Sequence, residues 1–296
     1  MKQKGIIFKL LFTVLFIALL TIRSTAQIPL EIPLWPKGTP NDNGLRGNEQ
    51  TSEGGRVSNV TVPTIKVYMP AKSNGMTIIM CPGGGYTRLA MNHEGIDMAS
   101  WLTTIGITYI ILKYRMPNGH CEIPLSDAEQ AMRLVRKNAV VWGINPHRIG
   151  IMGASAGGHL AASLSTLFSS DETRPDFQIL LYPVISMMPN LTHAGSQKCL
   201  LGDSSSISLQ KKYSLELQVT SYTPQAFIAL SADDGAVPPI NSINYFLALQ
   251  KLKIPVTLHV YPTGQHGWGF HDSFIYKREW TEELEKWLRN GLSFSK

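Results

Sequence analysis

The pentapeptide Gly153-Ala154-Ser155-Ala156-Gly157 constrains this chain more than any other stretch. It follows the apolar run 149–152, which predicts a strand, and precedes 157–168, whose apolar spacing predicts a helix. A strand that turns straight into a helix crowds the backbone around the corner residue, so its neighbours must be small. All four residues flanking Ser155 are Gly or Ala. The same turn aims the Ala156 backbone N–H, and the positive end of the following helix, at any negative charge that develops beside the serine. Ser155 is therefore a candidate nucleophile, standing at the end of a strand in a sheet that must be parallel enough to accept such a corner.

The rest of the chain supplies that sheet. Short β-branched or apolar runs at 65–69, 77–80, 108–112, 149–152, 178–182, 226–231 and 256–261 alternate with amphipathic segments at 96–104, 126–142, 157–168, 241–252 and 277–288. Ser126 or Asp127 is a candidate cap for the second helix. Strand–helix alternation of this kind predicts an α/β fold with a mostly parallel, doubly wound sheet and helices on both faces. Residues 27–56 are rich in Pro, Gly and Asn and read as an irregular N-terminal arm. Residues 187–219 are polar and serine-rich, and they fall where ligands enter such sheets, so they read as an insertion near the active site.

The first 26 residues read as an export signal. Lys2 and Lys4 precede an apolar run at 10–20 that is too short to span a bilayer, and Ser24-Thr25-Ala26 offers a small-residue cleavage site. Cleavage would leave 27–296 as one catalytic domain, periplasmic or extracellular, with no stable membrane insertion. Four cationic residues of the +6 formal charge (Lys2, Lys4, Lys9 and Arg23) lie in this leader, which has no acid, so the remainder carries +2. No Lys/Arg run remains to track phosphates, and nucleic acid is not an expected partner. Cys81, Cys121 and Cys199 suggest neither a metal site nor a disulfide framework; a Cys121–Cys199 bridge and three free thiols both stay open.

Two further motifs complete a constellation around Ser155. Pro82-Gly83-Gly84-Gly85-Tyr86 follows the strand at 77–80, and its glycines let backbone N–H groups approach a ligand, so Gly84, or alternatively Gly85, joins Ala156 as a candidate oxyanion donor. Asp233-Asp234 follows the strand at 226–231, and His266, in a glycine-flanked loop, follows the last strand. His93, His120, His147, His159, His193, His259 and His271 lack that position, with His271 the main rival for the base. His159, one turn beyond Ser155, suits packing or hydrogen bonding under the corner. The chain order Ser155…Asp234…His266 is that of α/β-hydrolases, unlike the chymotrypsin or subtilisin orders.

At these residues the chain resembles the α/β-hydrolase esterases, and within them the small exported bacterial carbohydrate esterases, above all acetyl xylan esterases. The resemblance extends to Ile32-Pro33-Leu34-Trp35-Pro36, His93-Glu94-Gly95 and Leu112-Lys113-Tyr114-Arg115. It implies the α/β-hydrolase fold and a Ser155–His266–Asp234 triad working through an acyl-enzyme. The implied substrate is an acylated plant polysaccharide, and no metal or organic cofactor is needed. It favours Asp234 over Asp233, because the family's acid is followed at the third and fourth positions by Val-Pro, here Val237-Pro238. Cys81-Pro82 replaces the histidine that lipases carry before the glycines, which weakens a lipase reading.

Tyr86 and Trp268 flank the oxyanion loop and the base. They are candidate substrate contacts that narrow the acyl pocket, with plain packing as the alternative. His93-Glu94 suits a local hydrogen bond or cap better than substrate binding. Competing functions are a feruloyl esterase, a peptidase of the prolyl oligopeptidase-like group and a non-catalytic hydrolase-fold binding protein. The peptidase suffers because large members carry a propeller for which there is no room before Ser155.

Overall fold

A computed structural model describes residues 29–293 of the chain; the expected leader at 1–26 lies outside them. The chain begins with β1 (Leu30–Pro33), β2 (Gln50–Ser52), β3 (Arg56–Ser58), β4 (Thr64–Tyr68), β5 (Thr77–Cys81) and β6 (Arg88–Ala90). Then come α1 (Ala99–Thr104), β7 (Thr108–Lys113), α2 (Glu122–Lys137), β8 (Ile149–Ala154), α3 (Ser155–Leu167) and β9 (Phe177–Leu181). Two short helices, α4 (Ala194–Leu201) and α5 (Ile207–Lys212), precede β10 (Ala226–Ser231), α6 (Ile240–Lys251), β11 (Val256–Tyr261) and α7 (Lys277–Lys286).

Eight strands form one sheet in the order β1-β4-β7-β5-β8-β9-β10-β11. The β1–β4 and β4–β7 pairs are antiparallel and the remainder parallel. Strands β5, β8, β9 and β10 are buried along their whole length. That is the burial expected of parallel strands covered on both faces, and it explains why their sequences read as continuous apolar runs rather than alternating ones. Each fully buried Ile or Leu in them, such as Ile78, Ile151, Leu180 or Ile228, contributes roughly 1.5–3 kcal/mol of hydrophobic stabilisation. The edge strand β11 is only half-buried. A second, three-stranded antiparallel sheet, β2-β3-β6, stands apart from the first.

Several sequence expectations differ from what is observed. The arm at 27–56 is less irregular than its composition suggests. Leu30–Pro33 pairs with β4 in the register Leu30↔Val67, and β2 and β3 build the small sheet. Strands of three or four residues are too short to carry a periodic signal. The second long helix begins at Glu122, not at 126, with Pro124 in its first turn, where a missing N–H costs nothing.

Asp127 is consequently no cap. It is fully buried and takes hydrogen bonds from Arg115 Nη2 (2.7 Å), Arg115 Nε (2.9 Å), the Arg115 backbone N–H (3.0 Å) and Trp35 Nε1 (2.8 Å). Arg115 Nη1 also donates to the Asn41 carbonyl (2.7 Å), so one buried ion pair pins the arm to the domain. Removing either partner of such a pair would leave an uncompensated buried charge at a cost of about 3–5 kcal/mol. Cys81, Cys121 and Cys199 are all free thiols. None of the helices among the described residues is long and apolar enough to cross a membrane.

Candidate active site

The ends of β5, β8, β10 and β11 converge on Ser155. In a mainly parallel sheet these carboxyl ends are where loops from several strands meet and ligands bind. Ser155 leaves β8 with φ +54°, a left-handed conformation that a non-glycine residue holds only when its surroundings enforce it. The enforcement is steric: a Cβ on Gly157 would run into the carbonyl oxygens of Cys81 and Pro82. The serine is 7% exposed, at the floor of a cavity of about 300 Å³.

Ser155 Oγ lies 2.7 Å from His266 Nε2, and His266 Nδ1 lies 2.7 Å from Asp234 Oδ2. A carboxylate only accepts, so the Nδ1 proton must sit between His266 and Asp234, which leaves Nε2 as acceptor for the Ser155 hydroxyl. Asp234 is itself held, since Oδ1 accepts the backbone N–H groups of Ala236 and Val237, both at 2.9 Å. The amides of Ala236 and Val237 thus fix the acid together. Asp233 points elsewhere, accepting from the backbone of Gln265 (2.8 Å) and Gly264 (3.3 Å), and so braces the loop that carries His266. The rival His271 instead stacks on His93 with ring centroids 4.2 Å apart.

The glycine loop after β5 comes within contact of the serine. A Cβ on Gly83 would lie 2.6 Å from the Ala154 carbonyl oxygen and 2.8 Å from Ser155 Cβ. The Gly83 N–H donates to Glu94 Oε2 (2.8 Å) and is therefore occupied. Gly84 and Gly85 both line the cavity, and neither amide meets a backbone acceptor among the described residues. Ala156, in the first turn of α3, has no intrahelical acceptor. The amides of Gly84, Gly85 and Ala156 are thus without a backbone acceptor among the described residues.

Tyr86 and Trp268 are not among the residues that line this cavity, and each is engaged in packing, the alternative reading of both. Tyr86 is 2% exposed, its hydroxyl 2.9 Å from His159 Nδ1 and its ring edge-on to Tyr114. Trp268 is 4% exposed, donates Nε1 to Ser231 Oγ (3.0 Å) and stacks on Phe274 at 4.4 Å. Large rings beside a site satisfy their own packing and polar tips first. His159 bridges Tyr86 and the Tyr213 carbonyl under the serine corner, and burial pushes its pKa down to about 4.

Several site residues carry little signal in the sequence beyond the local hydrogen bond expected of His93-Glu94. Glu94, 3% exposed, accepts from the Gly83 N–H and, through Oε1, from the Tyr182 hydroxyl (2.8 Å). Tyr182 Oη accepts in turn from the Gly269 N–H (2.8 Å), and its ring lies edge-on to His266 at 4.9 Å. This network ties the glycine loop to the histidine loop; burial raises the Glu94 pKa, partly offset by these hydrogen bonds. Tyr182's position just after a parallel strand was the available clue. His193, in the 187–219 segment, lines the cavity with Gly195. Its Nδ1 accepts the Ser196 backbone N–H (3.2 Å), which leaves the neutral ring's proton on Nε2. Burial, then the neighbouring His266, lower its pKa. Arg56, Thr87, Arg88 and His93 complete the wall. No cluster of His, Cys, Asp and Glu among the described residues could hold a metal ion.

The chain is similar to an acetylxylan esterase of Xylanibacter ruminicola (41% identity over 227 residues, 75% of this chain and 47% of that protein). It is also similar to endo-1,4-beta-xylanase B of Butyrivibrio fibrisolvens (35% identity over 223 residues, 70% of this chain and 34% of that protein). It therefore spans half or less of the length of these relatives. Among solved structures, an acetyl ester-xyloside bifunctional hydrolase of Caldicellulosiruptor lactoaceticus superposes with a TM-score of 0.74 at 38% identity, covering 88% of this chain and 95% of that one. With residues 78–270 matching the family model described as alpha/beta hydrolase fold, and with Ser155 at its strand–helix corner, the chain belongs to the alpha/beta hydrolase family.

Proposed function

We propose that this chain is a serine esterase that removes acetyl groups from plant polysaccharide of the xylan type. The observation that carries the reading is the hydrogen-bonded row Ser155–His266–Asp234 beside a cavity lined by Ser155, His266 and the glycine loop residues Gly84 and Gly85. Ser155 Oγ attacks the ester carbonyl while His266 Nε2 takes its proton, and Asp234 keeps the imidazole in the required tautomer and stabilises the imidazolium. The carbonyl oxygen gains negative charge and is met by the N–H groups of Ala156 and of Gly84 or Gly85. Collapse breaks the ester C–O bond, and His266 returns its proton to the departing sugar hydroxyl. Water, deprotonated by His266, then attacks the acetyl-enzyme, the acyl–Oγ bond breaks as His266 returns the proton to Ser155, and acetate leaves.

The similarity to a named acetylxylan esterase and to an acetyl ester-xyloside hydrolase supports the substrate class. The cavity lining supports the acyl group. Its lining side chains include Arg56, Thr87, Arg88, His93 and His193, and there is no Phe, Tyr or Trp against which a ferulate ring could lie. An intact hydrogen-bonded triad also argues against a binding protein without activity. The leader-like composition of 1–26 favours export to the periplasm or medium. The test is to incubate the protein with acetylated xylan, acetylated pectin and feruloylated arabinoxylan and identify the acid released. Acetate from xylan is expected; preferential release of ferulate would overturn the assignment.

A further inference from the structure

Two arginines line the cavity that holds Ser155 with no ion pair to a carboxylate, although the charge of Arg56 acts through space on Glu94. Arg56 lies on β3 and Arg88 on β6, adjacent antiparallel strands of the small sheet, in the register Arg56↔Ala90 and Ser58↔Arg88. Directly opposed residues share a face, as do residues two apart, so both arginines project from one face as a diagonal pair roughly 7–8 Å apart at their origins. Both line the cavity. Among the described residues neither forms an ion pair, and the hydrogen bond recorded for Arg56 goes to the Glu53 backbone carbonyl.

Glu94 is the one carboxylate in the lining, and both of its oxygens are already engaged, by the Gly83 amide and the Tyr182 hydroxyl. Two like charges on one face of a small sheet repel, and an anion between them would relieve that repulsion with charge-assisted, geometrically directed hydrogen bonds. We infer that Arg56 and Arg88 form a subsite for a sugar carboxylate, so that the preferred substrate is an acetylated polysaccharide bearing uronyl residues. This inference rests on the esterase reading above.

The position of the pair selects the sugar over the acyl group as the source of the carboxylate. Ser155 is buried at the cavity floor, whereas Arg56 and Arg88 are exposed at its rim. An acetyl group on Ser155 stays at the floor, and only the alcohol portion of the ester leaves through the rim. A carboxylate held there belongs to the saccharide.

The test separates binding from turnover. Calorimetry compares an unacetylated glucuronosyl-xylotriose with neutral xylotetraose, so its result stands whether or not the chain is an esterase. The acidic sugar should bind about tenfold tighter or more at low ionic strength, as expected of charge-assisted hydrogen bonds, and the difference should shrink with added salt. Arg56→Gln and Arg88→Gln should each reduce this preference, and the double variant should abolish it. Arg88→Lys should restore part, keeping the charge but losing the planar fork. Both side chains are exposed, so the variants should fold, which circular dichroism checks.

In kinetics, the ratio of kcat/KM for acetylated glucuronoxylan oligosaccharides to that for their neutral amides should fall in the same order. Equal binding of acidic and neutral sugars by the wild type, or an undiminished preference in the double variant, would overturn the subsite. A preference for 4-nitrophenyl hemisuccinate over 4-nitrophenyl acetate, without one for acidic sugars, would move the carboxylate to the acyl side and also overturn it. Failure to hydrolyse any acetate ester would instead overturn the esterase reading, while the calorimetry still decides the subsite.

Discussion

Glu94→Gln isolates the strut between the two halves of the site. The carboxylate accepts from two buried donors at once, the Gly83 N–H at 2.8 Å and the Tyr182 hydroxyl at 2.8 Å, and Tyr182 passes the constraint to Gly269, three residues beyond His266. A glutamine of nearly the same shape has only one accepting oxygen and turns an N–H toward the other donor. One buried donor is then left unsatisfied, a cost of about 1–3 kcal/mol. If that cost is relieved by displacing the glycine loop, the oxyanion donors move off the position they must hold in the transition state. At about 1.4 kcal/mol per tenfold, turnover falls roughly 5- to 150-fold. Because ground-state binding does not use those donors, KM changes little. The assay is kcat and KM on 4-nitrophenyl acetate, with thermal unfolding to establish that the variant is folded. A folded Glu94→Gln protein with wild-type kcat would refute the strut, as would a loss confined to KM.

Three further outcomes follow from the same geometry. Asp234→Asn removes the acceptor that sets the His266 tautomer and should cut kcat by up to about 10⁴-fold, whereas Asp233→Asn, which only loosens backbone contacts to Gly264 and Gln265, should cost far less; the reverse order in steady-state assays would show the two assignments exchanged. A series of acetyl, butyryl and octanoyl esters should show kcat/KM falling steeply with chain length, because the cavity of about 300 Å³ is lined by no Leu, Ile, Val, Met, Phe, Tyr or Trp that could house a long chain; since Trp268 is not in that lining, Trp268→Phe should leave the shape of the profile unchanged, and an optimum at eight carbons would contradict this. His93 and His159 have folded pKa values pushed down to about 4, mainly by burial, so the unfolded chain binds more protons between about pH 6.5 and 4; stability is present above that window and lost as pH falls through it, and a melting temperature unchanged from pH 7 to 4 would refute the assignment.

What could be read from the sequence was what local chemistry dictates. A strand–helix corner admits only small neighbours, so Ser155 and its flanks announced themselves, and the parallel strands appeared as apolar runs because both faces are covered. His266 and the Asp233-Asp234 pair followed from chain order and from loops placed after strands, and the family resemblance, through Val237-Pro238, favoured Asp234. The contacts hidden from the sequence depend on distant segments meeting. Glu94 and Tyr182 touch across 88 residues, and nothing near either marks the partner. Arg56 and Arg88 come from strands of three residues, too short for any period. For Tyr86 and Trp268 the sequence leaves substrate contact and packing open, because adjacency to a site residue says nothing about which way a ring turns. Both turn inward, toward His159 and Ser231.

The central claim is that Ser155 is a nucleophile activated by His266. Its most direct test is covalent trapping. The protein is treated with diethyl 4-nitrophenyl phosphate, which phosphorylates activated serines fastest, and the adduct is mapped by peptide mass spectrometry in wild type and in His266→Ala. One stoichiometric adduct on Ser155, accompanied by loss of esterase activity and absent from the folded His266→Ala protein, is the predicted result. An unmodified Ser155 in active, inhibitor-sensitive enzyme, or equal labelling without His266, would contradict the account.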